Sequence, residues 1–273
     1  MGFVIKFFNI VAIFAVIALI SVNVHAQNVG SPASPKPFEV LGVYSIAFGK
    51  LPIGEVRMKG GQKVAEYNLQ ADVKLSGVAK LFSSHQSKNK VNGRLLDARV
   101  REFSQAAREF ETNYTAREGW RTISMHYDAD GALTKLVDPK AKEGTARPEI
   151  PRAKLKGVSD TLTFVFQARE SIYHAHLEGK KSLVLPLFDT KRLSRVHIQI
   201  YGEVKRHWRG RKIPVLKVGM LREPVAGYTA KELKRERSNP MPELLCYFTL
   251  NDDFQIIKAE LPLKVGSISA ELM

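Results

Sequence analysis

Few residues in this chain have types and spacings that could carry chemistry, and histidine is the first to weigh. Of seven histidines, only His174 and His176 stand close together. On a helix, positions two apart point about 200° apart around the axis, so they cannot share a metal. On a strand they could. Asp128-Ala129-Asp130-Gly131 starts like a calcium loop, but Ala132 stands where the next oxygen ligand belongs and Pro139 where the closing carboxylate belongs. It reads as a hairpin turn, and neither a metal nor a cofactor is expected. The single cysteine, Cys246, lies in the apolar run Leu244 to Phe248 and reads as a small buried hydrophobe. Ser159 sits beside Asp160 at a predicted helix start, where capping accounts for it. The chain has no Gly-x-Ser-x-Gly elbow. Glu109 and Glu111 flank Phe110 on the wet side of a predicted strand, and Asp252-Asp253 falls in a turn. The protein is therefore expected to be noncatalytic. A hydrolase acting on an acidic envelope polymer, with a carboxylate pair the sequence does not identify, stays open as an alternative.

One cluster suggests binding instead. In Arg206-His207-Trp208-Arg209-Gly210-Arg211-Lys212, cations surround an indole at a predicted hairpin tip. Tryptophan favours interfaces and stacks with arginine. Arg206, Trp208, Arg209, Arg211 and Lys212 are accordingly the candidate contact with an anionic surface, either envelope lipid in a peripheral membrane contact or an acidic polymer. The competing reading is a turn whose Trp208 packs back on its own strands.

Charge and leader narrow the partners. Lys6, an apolar run from Phe7 to Val22, and small residues at Val24 and Ala26 make a Sec-type signal peptide over residues 1–26, cut between Ala26 and Gln27. The run is shorter than the ~20 residues of a spanning helix. No cysteine follows the cut, so a lipoprotein is excluded and a periplasmic protein is expected. The formal charge is +15, and removal of Lys6 with the leader leaves +14. Export turns that charge away from nucleic acid and toward lipid head groups and other anionic envelope polymers.

The elements that must hold these residues are mostly strands. Residues 27–37, rich in Pro and Ser, read as a flexible leader, and 38–273 as a single β-rich domain. Alternation of period two runs through Tyr44, Ile46 and Phe48, through Tyr67 to Leu75, through Ile123 to Tyr127 and through Val196 to Ile200. Leu261, Leu263 and Val265 are predicted to share one face. Turns are expected at Lys50-Leu51-Pro52, Gly60-Gly61, Asp128–Gly131, Trp208–Gly210 and Asn251–Asp253. About ten to fourteen antiparallel strands would fill the domain. One segment has helical spacing. Asp160 precedes a stripe of Leu162, Val165, Phe166, Ile172 and Tyr173, predicting a helix over 160–178. A second short helix is predicted over Gly77 to Phe82, and residues 223–243 read as a basic excursion, part helical.

Several short motifs recur in order: Leu51-Pro52-Ile53-Gly54-Glu55 after an aromatic strand, Gly77 to Phe82, Val158-Ser159-Asp160-Thr161-Leu162, Leu185 to Asp189, and a closing Val265-Gly266-Ser267. In these the chain resembles the proteobacterial envelope family catalogued as domain of unknown function 3108. The resemblance implies export and a β-rich fold and supplies no catalytic residues. The expected fold is mainly β: a long, strongly curved antiparallel sheet, a half-barrel or spiral, with one main α-helix packed on the concave face. The expected role is a binding or scaffold protein in envelope maintenance, holding a lipid or acyl chain in the concavity. A protein-interaction module binding through a sheet edge is a further alternative. Oligomeric state is not legible.

Overall fold

The computed structural model describes residues 39–63, 66–77, 79, 86–95, 105–116, 119–129, 131–138, 147–251 and 254–273. The predicted signal peptide, the predicted leader and most of the predicted Gly77–Phe82 helix lie outside them, as do Asp252 and Asp253.

Among the described residues, thirteen strands form one antiparallel sheet. They are β1 (Glu39–Phe48), β2 (Leu51–Lys63), β3 (Glu66–Leu75), β4 (Gln86–Leu95), β5 (Gln105–Ala116), β6 (Gly119–Tyr127), β7 (Leu133–Val137), β8 (Ser182–Phe188), β9 (Leu193–Trp208), β10 (Arg211–Ala226), β11 (Leu244–Thr249), β12 (Ile256–Pro262) and β13 (Ser267–Leu272). Their spatial order is β7-β6-β5-β4-β3-β2-β1-β13-β12-β11-β10-β9-β8. Each half is a meander of hairpins, and the pairing of β1 with β13 joins the two halves. This is the topology that short turns impose on successive alternating strands. The sheet is not closed: β7 and β8 are its edges. It is nevertheless strongly curved. Lys191, three residues past one edge strand, comes within 3.8 Å of Asp138, the residue after the other.

The alternation is visible in burial. Along β3, Tyr67, Leu69, Ala71, Val73 and Leu75 are buried while Glu66, Asn68 and Lys74 are exposed. Helix α1 (Thr161–Leu177) lies on the concave face. Asp160 caps it, accepting from the N–H groups of Leu162 at 2.8 Å and Thr163 at 3.0 Å. Its first three turns are buried on almost every side, through Leu162, Phe164, Val165, Phe166, Ala168 and Ile172. Each such side chain contributes roughly 1.5–3 kcal/mol by leaving water. Farther along, the Arg169 guanidinium donates to the Phe254 carbonyl at 3.3 Å, and Tyr173 meets Phe254 edge to face. These contacts tie α1 to the β11–β12 connection.

Helix α2 (Ala230–Ser238) opens on a capping box between Thr229 and Glu232. It occupies the middle of the basic excursion, whose first residues, Glu223 to Ala226, complete β10.

Two local expectations fail for physical reasons. Gly60-Gly61 is strand, not turn. A Cβ on Gly60 would stand 2.2 Å from the Asn68 carbonyl, so glycine there admits the neighbouring strand. Leu261, Leu263 and Val265 do not share a face. β12 stops at Pro262, and Leu263 N–H closes a turn onto the Gly266 carbonyl, leaving Val265 exposed. The proline cannot continue the ladder, and Gly266 supplies the positive φ that the turn needs.

Candidate functional site: a charged seam and a buried acid

Where the two edges of the sheet approach, side chains take the place of a backbone ladder. Arg121, near the start of β6, donates its Nε to Asp138 Oδ1 at 2.8 Å and makes a second contact to Oδ2. Asp138 Oδ2 also faces Lys191 Nζ. One residue on, Arg192 grips Asp189 across the β8–β9 turn, Nε to Oδ2 at 2.9 Å, and Arg222 of β10 approaches the same oxygen at 3.6 Å. Arg192 also reaches Glu232 of α2 at 3.7 Å. Arg147 takes Glu232 in a two-pronged bond, 2.8 Å on each arm, and donates to the Gly227 carbonyl. Tyr228 lies beside the guanidinium groups of Arg192 and Arg222, its hydroxyl bonded to Ser194.

Gly227 makes this approach possible. It has a φ of +75°, and a Cβ there would meet the Lys191 carbonyl at 2.3 Å. The result is a chain of charges running from β6 through the β8–β9 turn to α2. Burial pushes the Glu232 carboxyl up, but hydrogen bonds from Arg147 and the Thr229 N–H, with the charges of Arg147 and Arg192, outweigh it and hold it at about 2. The Lys191 ammonium moves down, first from burial and then from repulsion by Arg121 and Arg147.

A second polar point lies inside. Tyr67 lies across Gly93, its strand partner, where a Cβ would meet the ring at 2.3 Å. From there its hydroxyl reaches Thr163 Oγ1 of α1 at 2.9 Å. Asp160 is fully buried, and its Oδ2 has no partner among the described residues. Burial raises the Asp160 carboxyl above the ordinary range, against the hydrogen bonds from Thr163 and Leu162. Burial likewise raises the Tyr67 and Tyr127 hydroxyls, with the Asp160 charge adding to both. A short parallel bridge, Ser159 to Leu187, attaches this corner to β8.

The predicted tip is a hairpin turn, with positive φ at Arg209 and Gly210. Its residues diverge. A bulge at Tyr201 and Gly202 shifts the β9–β10 register, so that Val204 pairs with Val215 and Arg206 with Ile213. This turns Val204 and Arg206 to the face opposite the main core, where Val215, Tyr247 and Ile257 form a small cluster, while Trp208 at the tip packs against both clusters. Arg206 lies 3.7 Å over the Tyr247 ring and bonds Glu260. Trp208 is half-buried, packed back on its own sheet. Arg209 stacks on Trp208 and donates to the Met273 carbonyl at 2.6 Å. Arg211 and Lys212 remain exposed. The structure thus engages three members of the predicted group internally and leaves two facing water. The seam was not anticipated: its charges are scattered from Arg121 to Glu232, and no local pattern in sequence joins them.

Cys246 is fully buried, and burial raises its thiol. His174 and His176 are both on α1.

No family model matches this chain, and no curated protein matches it. A crystal structure of a β-barrel-like protein of domain of unknown function 1849, from Brucella abortus, is similar at a TM-score of 0.50 and 12% identity. The match covers 85% of this chain and 94% of that one. The similarity shows the fold, a β-barrel-like sheet of unknown function. It also overturns the resemblance to the family catalogued as domain of unknown function 3108. The motifs behind that resemblance are residues that turn, cap and pack a curved sheet. Leu51–Glu55 opens β2, Val158–Leu162 caps α1, and Val265-Gly266 is a turn.

Proposed function

We propose that this protein is a noncatalytic binding protein of a bacterial cell envelope, exported by the signal peptide of residues 1–26, and that it holds a lipid or acyl chain in the concavity of the sheet. One observation carries the reading: the concave face is apolar, and its two edges are joined by side-chain charge. Such a seam can part without breaking a strand ladder, and the residue two before α1, Ser159, is the point of the isolated bridge to β8. Apolar burial at ~25 cal/mol per Å² would drive an acyl chain inside. The carboxylates at the seam also favour a noncatalytic role. Arginine clamps each of them, and Glu232, held at about 2, carries no proton for general acid work at neutral pH.

The test is native mass spectrometry of protein recovered from its own periplasm, followed by lipid extraction. A bound mass that extracts as an acylated molecule is the expected result. Protein that flies with no added mass under gentle conditions overturns the reading.

A second reading rests on β8. Phe188 N–H leaves the sheet to reach Ser159, so the even-numbered residues of β8 present their N–H groups to the open side. Val184 is 51% exposed there, an apolar point from which a partner strand could extend the sheet. Cross-linking at position 184 that captures the same envelope protein repeatedly would favour this reading over lipid carriage.

A further inference from the structure

Among the described residues the seam holds five cations, Arg121, Arg147, Lys191, Arg192 and Arg222, against three carboxylates, Asp138, Asp189 and Glu232. Two positive charges are in surplus. Each acid is shared: Asp138 by Arg121 and Lys191, Asp189 by Arg192 and Arg222, Glu232 by Arg147 and Arg192. Partial burial weakens solvent screening of that surplus. Lys191 is the loosest member. Among the described residues its ammonium has only the 3.8 Å approach to Asp138, and its side chain is 37% exposed, whereas the arginines are fixed by fork-shaped bonds or by the Tyr228 ring.

We propose that the seam is a binding site for a phosphate group, with the Lys191 ammonium as its mobile contact and Arg121 and Arg147 as its fixed flanking charges. A phosphate monoester carries up to two negative charges, which matches the surplus, and its oxygens suit guanidinium donors. The exposed tip residues Arg211 and Lys212 lack this construction. They have no clamped neighbours and act as ordinary surface charge. The phosphate would come from a lipid head group or from a soluble phosphate ester. The site rests on the seam geometry and does not require an acyl chain in the concavity.

The experiment titrates the full exported chain with inorganic phosphate at low ionic strength, by calorimetry, beside Lys191→Gln, Lys191→Arg and the tip variant Arg211→Gln/Lys212→Gln. Saturable binding at one site is expected, weakened about tenfold in Lys191→Gln, restored in Lys191→Arg and unchanged in the tip variant. Raising salt to physiological strength, where the screening length falls to about 8 Å, should weaken it further. Equal binding by Lys191→Gln and the wild type, equal losses in the Lys191 and tip variants, or no saturable binding would each overturn the site. A matching melting temperature for Lys191→Gln shows that loss of binding is not loss of fold, and Lys191→Arg keeps the test decisive if it melts early. Vesicles of phosphatidylcholine with and without phosphatidic acid identify the source. Lys191-dependent binding to the acidic vesicles assigns a head group, and phosphate binding without vesicle binding assigns a soluble ester. Lipid extraction from Lys191→Gln separates this result from the acyl-chain reading, since a bound acyl chain without phosphate affinity would sink the site and spare the carrier.

Discussion

Asp160 performs two tasks that pull in opposite directions, and substitution separates them. Its Oδ1 accepts from the Leu162 and Thr163 N–H groups, and its Oδ2 is buried with no partner among the described residues. Asp160→Ala removes both backbone bonds and strands two donors whose residues are 2% and 1% exposed. A lost cap costs about 0.5–2 kcal/mol, and an unsatisfied buried donor about 1–3, so about 2–4 kcal/mol is expected in total. Asp160→Asn keeps the accepting oxygen and removes the charge. In a domain of this size each kcal/mol moves the melting point by roughly 2–4 °C, so Asp160→Ala should melt about 5–15 °C below Asp160→Asn. The charge shows itself separately. Burial raises the Asp160 carboxyl in the fold, so its contribution is fully present below the ordinary carboxylate value, near ~4, and is lost as pH rises through the raised value. Wild type should therefore lose stability relative to Asp160→Asn as pH rises from about 4 through the raised value, and the two should run parallel above it. Thermal unfolding by circular dichroism from pH 4 to pH 8 measures both effects. Coincident melting of the Ala and Asn variants would refute the cap, and parallel pH profiles for wild type and Asp160→Asn would refute the buried charge.

The remaining predictions concern the long hairpin and the seam. Gly202 has a φ of +102°, with nothing within 4 Å of where a Cβ would stand. Gly202→Ala should therefore destabilise by roughly 1–3 kcal/mol through backbone strain alone, read as an earlier melt, and an unchanged melt would show that the bulge relaxes. Glu232, held at about 2, contributes stability that is complete above the ordinary glutamate value of about 4.3 and lost as pH falls from there toward 2. Acid unfolding of wild type should be steeper across that window than that of Glu232→Gln. Superimposable acid limbs would mean that the clamp by Arg147 and Arg192 adds nothing.

Most of the sheet was legible because a half-buried strand must alternate, and residues Tyr67 to Leu75 do so without a break. α1 was legible because Asp160 precedes a stripe of helical period, and the helix begins one residue later. Gly60-Gly61 misled because glycine is as useful for close strand approach as for turning, and only the partner strand distinguishes the two. The bulge at Gly202 was hidden in the same way. Even-numbered residues from Val196 to Trp208 look like one face, yet the extra residue sends Val204 and Arg206 to the other side. The turn at the candidate tip was legible, and so was Trp208 packing back as one of its two readings, whereas the partners of Arg206 and Arg209, Glu260 and the Met273 carbonyl, were not. The seam could not be read at all. A cation's partner in a curved sheet is set by which edges meet, and here Lys191 finds Asp138 and Glu232 finds Arg147 across 53 and 85 positions.

The edges themselves explain why the sheet stops short of a barrel. β8 has Pro186 among the residues whose N–H would point away from β9, so the proline removes a donor from the open side and leaves the ladder to β9 intact. At the other edge, β7 is short, with Thr134, Lys135 and Leu136 exposed. Neither strand is built to pair with the other, and the charged seam fills the gap with contacts that respond to salt, pH and ligands in ways backbone hydrogen bonds do not. Closing the barrel with a fourteenth strand would remove that responsiveness. A chain that needed only rigidity would have no use for two surplus cations at this open joint, and it is on that surplus, more than on the apolar interior, that the proposed phosphate site rests.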